Sequence, residues 1–156
     1  MMIGLSSILI VACVCLTAMA DSPPECTERL NSVAKLKDLY CDAHVVFTGT
    51  PLSAMSGVST TPEGGQIETS LTDFSVKGVY KGEEEYNVQV MRSYHNQEDQ
   101  CSAEAFPAPR GVSEIFLVFG TGASGRYDVQ ACGHRFLWSC VSKKVQKALR
   151  RRIRCN

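Results

Sequence analysis

Apolar and polar residues follow several different rhythms along this chain, and each rhythm predicts an element. Ser22 with the two prolines after it resembles a helix start. Leu30, Val33, Ala34, Leu36 and Tyr40 form a loose helical stripe, so a short helix is expected within residues 24–39. Beyond Cys41 the period shortens. Ala43-His44-Val45-Val46-Phe47 reads as a strand running into a turn-rich stretch from Pro51 to Gly65. Gln66 to Tyr80 carries β-branched and aromatic residues in short alternating sets, closed by Lys81-Gly82. Tyr86, Val88 and Val90 alternate with Asn87 and Gln89, the pattern of a half-buried strand. A polar loop with Cys101, Pro107 and Pro109 follows. Ile115-Phe-Leu-Val-Phe119 is a continuous apolar run, expected to be buried on both faces. Gly120 to Gly125 is a hairpin turn, after which Tyr127, Val129 and Ala131 alternate. Val141, Val145, Leu149 and Ile153 recur every four residues, one apolar row on a basic helix. Five strands with a helix near each end predict a mainly β protein, a small closed antiparallel barrel that leaves few exposed edges.

The first twenty residues stand outside this scheme. They are apolar and uncharged and end in Ala18-Met19-Ala20, the small-x-small pattern of a secretory leader. Residues 1–20 are therefore read as a signal peptide and 21–156 as one secreted domain without a membrane span. Cleavage after Ala20 removes Cys13 and Cys15 and leaves Cys26, Cys41, Cys101, Cys132, Cys140 and Cys155. An even count in a secreted chain reads as three disulfides, with fifteen conceivable pairings. A zinc site of the chain's own is disfavoured, because the mature region has no CxxC and His44, His95 and His134 are scattered.

Charge adds one feature. Sixteen basic residues balance sixteen acidic ones, yet Lys143, Lys144, Lys147, Arg150, Arg151, Arg152 and Arg154 crowd the last fourteen positions with no acid among them. Such a cluster suits a solvated helix face or a surface for sulfated glycosaminoglycans and other anionic matrix. No nucleic-acid partner is expected. Enzyme chemistry is not expected either: the chain has no HExxH, no GxSxG and no phosphate-binding loop. The glycines at 120–125 join two strands and open no helix.

Four stretches together resemble one family. Tyr40-Cys41-Asp42-Ala43-His44-Val45-Val46 is similar to the opening strand of the tissue inhibitors of metalloproteinases. Phe74-Ser-Val-Lys-Gly-Val-Tyr-Lys-Gly82 resembles their second strand with its Lys-Gly end. Glu114-Ile-Phe-Leu-Val-Phe-Gly120 resembles their fourth strand and hairpin. Cys132, Trp138 six residues on, and a basic helix ending at Cys155 resemble their closing segment. The likeness spans most of residues 26–155 and implies a single netrin-like module, a five-stranded OB-type barrel with flanking helices.

It also implies a function. Members of that family inhibit secreted zinc metalloproteinases through a mature N-terminal cysteine. Its α-amine and carbonyl chelate the protease's catalytic zinc and displace the nucleophilic water. Carried onto this sequence, Cys26 is the chelating residue, Thr27 enters the specificity pocket, and Glu28 completes the edge. The resemblance makes Cys101 the brace of Cys26, with Glu98, Asp99, Gln100 and Ser102 beside it on the contact ridge. The zinc belongs to the target, so the chain needs no cofactor of its own. The implied bridges are Cys26–Cys101, Cys41–Cys155 and Cys132–Cys140; Cys26–Cys132 with Cys101–Cys140 stands as the other scheme, because Glu28 sits where the family has a second cysteine. The leader pattern starts the mature chain at Asp21, whereas chelation requires it to start at Cys26. The other reading is a netrin-like matrix-binding module that uses the basic C-terminal helix and inhibits nothing.

Overall fold

In the computed structural model, which describes residues 26, 28–60, 62–95, 114–129, 134–151 and 153–155, the first regular element is helix α1, Val33–Asp42. It starts later than the apolar stripe suggests. Ser32 is its cap and its hydroxyl accepts from the Lys35 amide at 3.2 Å, an arrangement worth about 1 kcal/mol. Leu30 lies before the helix, in a short parallel bridge with Val141. The expected cap at Ser22 lies outside the described residues.

Among the described residues six strands follow: β1 Val45–Thr60, β2 Gln66–Lys81, β3 Asn87–His95, β4 Phe116–Ala123, β5 Arg126–Asp128 and β6 Arg135–Leu137. A single 3-10 turn, Trp138–Cys140, leads to helix α2, Lys143–Leu149. The strand order β1-β2-β3-β5-β4 closes on itself through a β1–β4 pairing, giving a five-stranded OB-type barrel. The pairings are antiparallel except β3–β5, which is parallel, so the barrel is mixed rather than wholly antiparallel. The short strand β6, not anticipated from the pattern, pairs with Phe116–Val118 of β4 outside the closed circuit.

Burial explains the continuous apolar run of β4. Phe116 and Val118 face the barrel interior with Val45, Phe47, Phe74, Val88, Val90, Tyr127 and Val129. Leu117 and Phe119 face the other way, into a second cluster with Leu36, Val46, Phe136, Val145 and Leu149. A strand with both faces covered cannot alternate. Each such side chain contributes about 1.5–3 kcal/mol. Phe47 meets Phe74 edge-on at 5.7 Å inside the barrel, and Phe119 meets Phe136 likewise at 6.2 Å beneath the helices.

The stretch read as turn-rich is largely strand. β1 runs on through Thr60, paired with β2 from Ser53↔Asp73 to Thr60↔Gln66. Positions 52–60 are all exposed, so no apolar alternation marks them. Pro51 sits at a register shift, where its missing N–H does not break the ladder. Between β4 and β5 the turn residues Ser124 and Gly125 have φ of 56° and 74°, the two left-handed positions of a type I′ hairpin.

Candidate functional site

The N-terminal edge is fastened by one disulfide and two backbone hydrogen bonds. Cys26 is joined to Cys140 with a Cα–Cα distance of 5.7 Å. The Leu30 amide donates to the Cys140 carbonyl at 3.3 Å, and the Ser142 amide donates to the Leu30 carbonyl at 3.0 Å. Leu30 and Val141 are both buried beside the helices. Cys26 and Leu30 are thus both tied to the segment that opens α2. Cys26 itself is half-buried.

This pairing corrects the expected Cys26–Cys101 and Cys132–Cys140 bridges, and the Cys26–Cys132 and Cys101–Cys140 scheme with them. The cause is local. The Leu30–Val141 bridge runs the two segments side by side and brings Cys26 to Cys140. Connectivity of this kind depends on proximity in the fold and carries no mark in residue spacing. Cys41 bonds Cys155, as the resemblance implies, with a Cα–Cα distance of 5.5 Å. Disulfides form and persist in oxidising compartments. No described helix is long and apolar enough to cross a membrane.

Of the expected inhibitory edge, Cys26 and Glu28 are described. Glu28 is exposed and pairs with Lys35 of α1 at 3.0 Å. Thr27, Glu98, Asp99, Gln100, Cys101 and Ser102 lie outside the described residues. So does Cys132.

The Lys81-Gly82 step has a physical role that its motif did not reveal. The Lys81 ammonium donates to the carbonyls of Tyr40, Cys41 and Ala43 at 2.7, 3.1 and 2.5 Å, and lies 5.2 Å from the centre of the Tyr40 ring. A cation is thereby held on the last carbonyls of α1, where the helix dipole is negative. The Tyr40 hydroxyl in turn donates to the Tyr80 carbonyl at 2.7 Å. Gly82, at φ 93°, turns the chain away beside Val45, a conformation that favours glycine. These contacts hold α1 on the barrel next to the Cys41–Cys155 bond.

On α2 the Ser142 hydroxyl accepts from the Val145 amide at 3.4 Å, and Val145 and Leu149 face inward. Val141 precedes the helix and Ile153 follows it, yet both pack in the same cluster as the helical row. Lys143, Lys144, Lys147, Arg150, Arg151 and Arg154 are exposed, and none makes an ion pair with another described residue. Arg152 lies outside the described residues. The first turn of α2 holds Lys143 and Lys144 and no acid, an arrangement that opposes the positive end of the helix dipole. The fold gains nothing from these two charges.

His44 is used locally. Its Nδ1 accepts from the Gly122 amide at 2.9 Å, and its own amide donates to the Gly120 carbonyl at 2.8 Å, fixing the glycine hairpin against β1. Across the barrel's outer face, Asp73 accepts from Ser53 at 2.6 Å and from Gln89 at 2.9 Å. Those two bonds pull its carboxyl below the usual value, against a smaller opposing effect of burial. Among the described residues no three His, Cys, Asp or Glu side chains converge to hold a metal ion. Comparison of the sequence with protein-family models and with curated proteins finds no match.

Proposed function

We propose that this chain is a secreted inhibitor of zinc metalloproteinases that docks its Cys26 edge on the catalytic zinc of the target. The observation that supports this reading is the fastening of that edge. A disulfide at Cys26 and two backbone hydrogen bonds at Leu30 fasten this edge to Cys140 and Ser142 before any partner arrives. A segment ordered in advance loses less conformational freedom on binding. The brace is Cys140, which stands where the family likeness would put Cys101.

Chelation requires a free α-amine on Cys26, since an amide nitrogen has given its lone pair to the carbonyl and is a poor zinc ligand. An α-amine with a pKa of about 7.7–8.0 supplies a neutral donor near physiological pH. With the carbonyl oxygen of the same residue it occupies the position at which a catalytic zinc binds water. Thr27 then follows into the specificity pocket of the protease.

N-terminal sequencing of the secreted protein and titration against a panel of matrix metalloproteinases test this. Protein beginning at Cys26 inhibits stoichiometrically, and one alanine added ahead of Cys26 abolishes inhibition without altering thermal stability. Undiminished protease activity at micromolar Cys26-initiated protein sinks the reading.

A second reading is favoured by the unpaired cations of α2. The basic face is a contact for sulfated glycosaminoglycans in the extracellular matrix. Heparin then retains the protein to higher salt than a sulfonate exchanger of equal charge density does, and Lys143→Glu with Lys147→Glu removes the difference. Equal elution on both resins sinks it, because bulk charge alone accounts for that result.

A further inference from the structure

The connection between β2 and β3 carries Glu83, Glu84, Glu85 and Tyr86, and the sequence pattern misplaces its last residue. Tyr86 heads the alternating set with Val88 and Val90, which are 4% and 0% exposed, yet Tyr86 itself is 90% exposed. β3 begins one residue later, at Asn87. The Tyr86 carbonyl accepts from the Val76 amide at 2.9 Å, so the backbone is fixed while the ring stands in solvent. An aromatic ring so placed contributes almost none of its burial energy. No described residue bonds its phenol.

The three glutamates are not equivalent. Glu85 is half-buried: its carboxylate covers Gly125, where an added Cβ would come within 2.6 Å of Oε2, and its charge acts on the Tyr127 phenol. Glu83 and Glu84 are exposed. The loop is therefore pinned at Glu85 and at the Tyr86 carbonyl, and presents two exposed carboxylates beside one exposed phenol.

We propose that Tyr86 is a tyrosine O-sulfation site, modified during secretion by a sulfuryl transferase that reads the acidic residues ahead of it. Such an enzyme must bind a polyanionic donor, so the surroundings of its active site are cationic and attract carboxylates flanking the acceptor. The Tyr86 phenol oxygen attacks the sulfur of an adenosine phosphosulfate, a mixed phosphate–sulfate anhydride. The oxygen–sulfur bond forms as the bond from sulfur to the donor's phosphate oxygen breaks. The phenolic proton passes to a base on the transferase, and the nucleotide leaves with its phosphate. Nothing is oxidised or reduced. The product places a permanent negative charge beside Glu83 and Glu84, facing any partner with a basic surface.

The proposal rests on passage through the secretory pathway and is independent of protease inhibition. The full chain with its leader is expressed in cultured animal cells fed radiolabelled sulfate, and protein from the medium is mapped by mass spectrometry. The Tyr86 peptide gains the mass of one SO3, loses it as a neutral on collisional activation, and keeps it through phosphatase treatment. Tyr86→Phe abolishes the label on that peptide, and Glu83→Gln with Glu84→Gln lowers it several-fold. All three positions are exposed, so the variants fold. An unmodified Tyr86 in secreted protein carrying the Cys26–Cys140 bridge overturns the proposal and leaves the secretory reading intact. Removal of the added mass by phosphatase overturns it in favour of phosphorylation. Retention of the whole chain inside the cell overturns both.

Discussion

Replacing Lys81 by methionine keeps the side chain's apolar stem and removes the ammonium that three carbonyls share. Hydrogen bonds to a charged group are worth about 1.5–3 kcal/mol each, which sets a gross upper range of about 5–9 kcal/mol. The net loss is smaller, because Lys81 is half-buried and water can reach part of the vacated site. Loss of a cation from a helix C-terminus costs about 0.3–1 kcal/mol, and loss of its contact with the Tyr40 ring about 0.5–1 kcal/mol. Rehydration of the carbonyls is incomplete in so crowded a position, so Lys81→Met is expected to destabilise the fold by about 2–3 kcal/mol. At a urea dependence of about 1.5 kcal/mol/M the unfolding midpoint falls by about 1.3–2 M. Lys81→Arg restores little, because a planar guanidinium cannot direct its donors at three converging carbonyls as a tetrahedral ammonium does. A change below about 0.5 kcal/mol, ordinary for a surface substitution, would falsify the clamp and reduce Lys81 to a strand-end residue.

The two described bridges are coupled. Each spans 114 residues, and the pairs are offset by 15 at either end (41 − 26 and 155 − 140). Alone, either is worth about 5 kcal/mol in the chain-entropy model; with the other in place the new circuit is only about 30 residues and the gain drops to about 3.5 kcal/mol. Cys41→Ser with Cys155→Ser is therefore less damaging in oxidised protein than in protein that also lacks Cys26–Cys140, as paired denaturation curves should show. Non-reducing peptide mapping checks the pairing itself, and a peptide joining Cys26 to Cys101 refutes it. Thr72 is fully buried and its hydroxyl has no partner among the described residues, so Thr72→Val stabilises by about 1 kcal/mol, and a lower thermal midpoint counts against that. Burial, followed by the Glu85 carboxylate, raises the Tyr127 phenol above its ordinary 10.0. The stability this contributes is complete below pH 10 and is lost as pH rises through the folded-state value. Glu85→Gln brings the Tyr127 titration down toward 10.0 in a phenolate absorbance titration, and an unchanged curve refutes the coupling.

The barrel was legible wherever burial left a periodic trace. The unbroken apolar run at Ile115–Phe119, the alternation of Val88 and Val90, and the Val145–Leu149 row each mark an element whose neighbours dictate its pattern. Positions 52–60 of β1 were not legible, since a ladder of backbone hydrogen bonds with all side chains in solvent imposes no alternation, and Leu52, Met55 and Val58 stand exposed out of step with a strand's period. Tyr86 misled for the opposite reason. It continued an alternation by one residue beyond the strand that produced it. The parallel contact of β3 with β5 and the bond from Cys26 to Cys140 belong to a deeper level. Both join segments far apart in the chain, and no local preference of either segment names its partner. The described part of the candidate site divides in the same way: the cations of α2 were visible as composition, whereas the clamp at Lys81 needed the three carbonyls to be seen around it.

The offset bridges also determine what survives a protease. A single backbone cut anywhere between residues 42 and 139 separates the chain into a piece carrying Cys26 and Cys41 and a piece carrying Cys140 and Cys155. The two pieces stay joined at two points. The exposed stretch of β1 at residues 52–60 can therefore be clipped without releasing either end, and the nicked protein migrates as one band until it is reduced. For the protease inhibitor proposed above, cleavage becomes a scar and not a death.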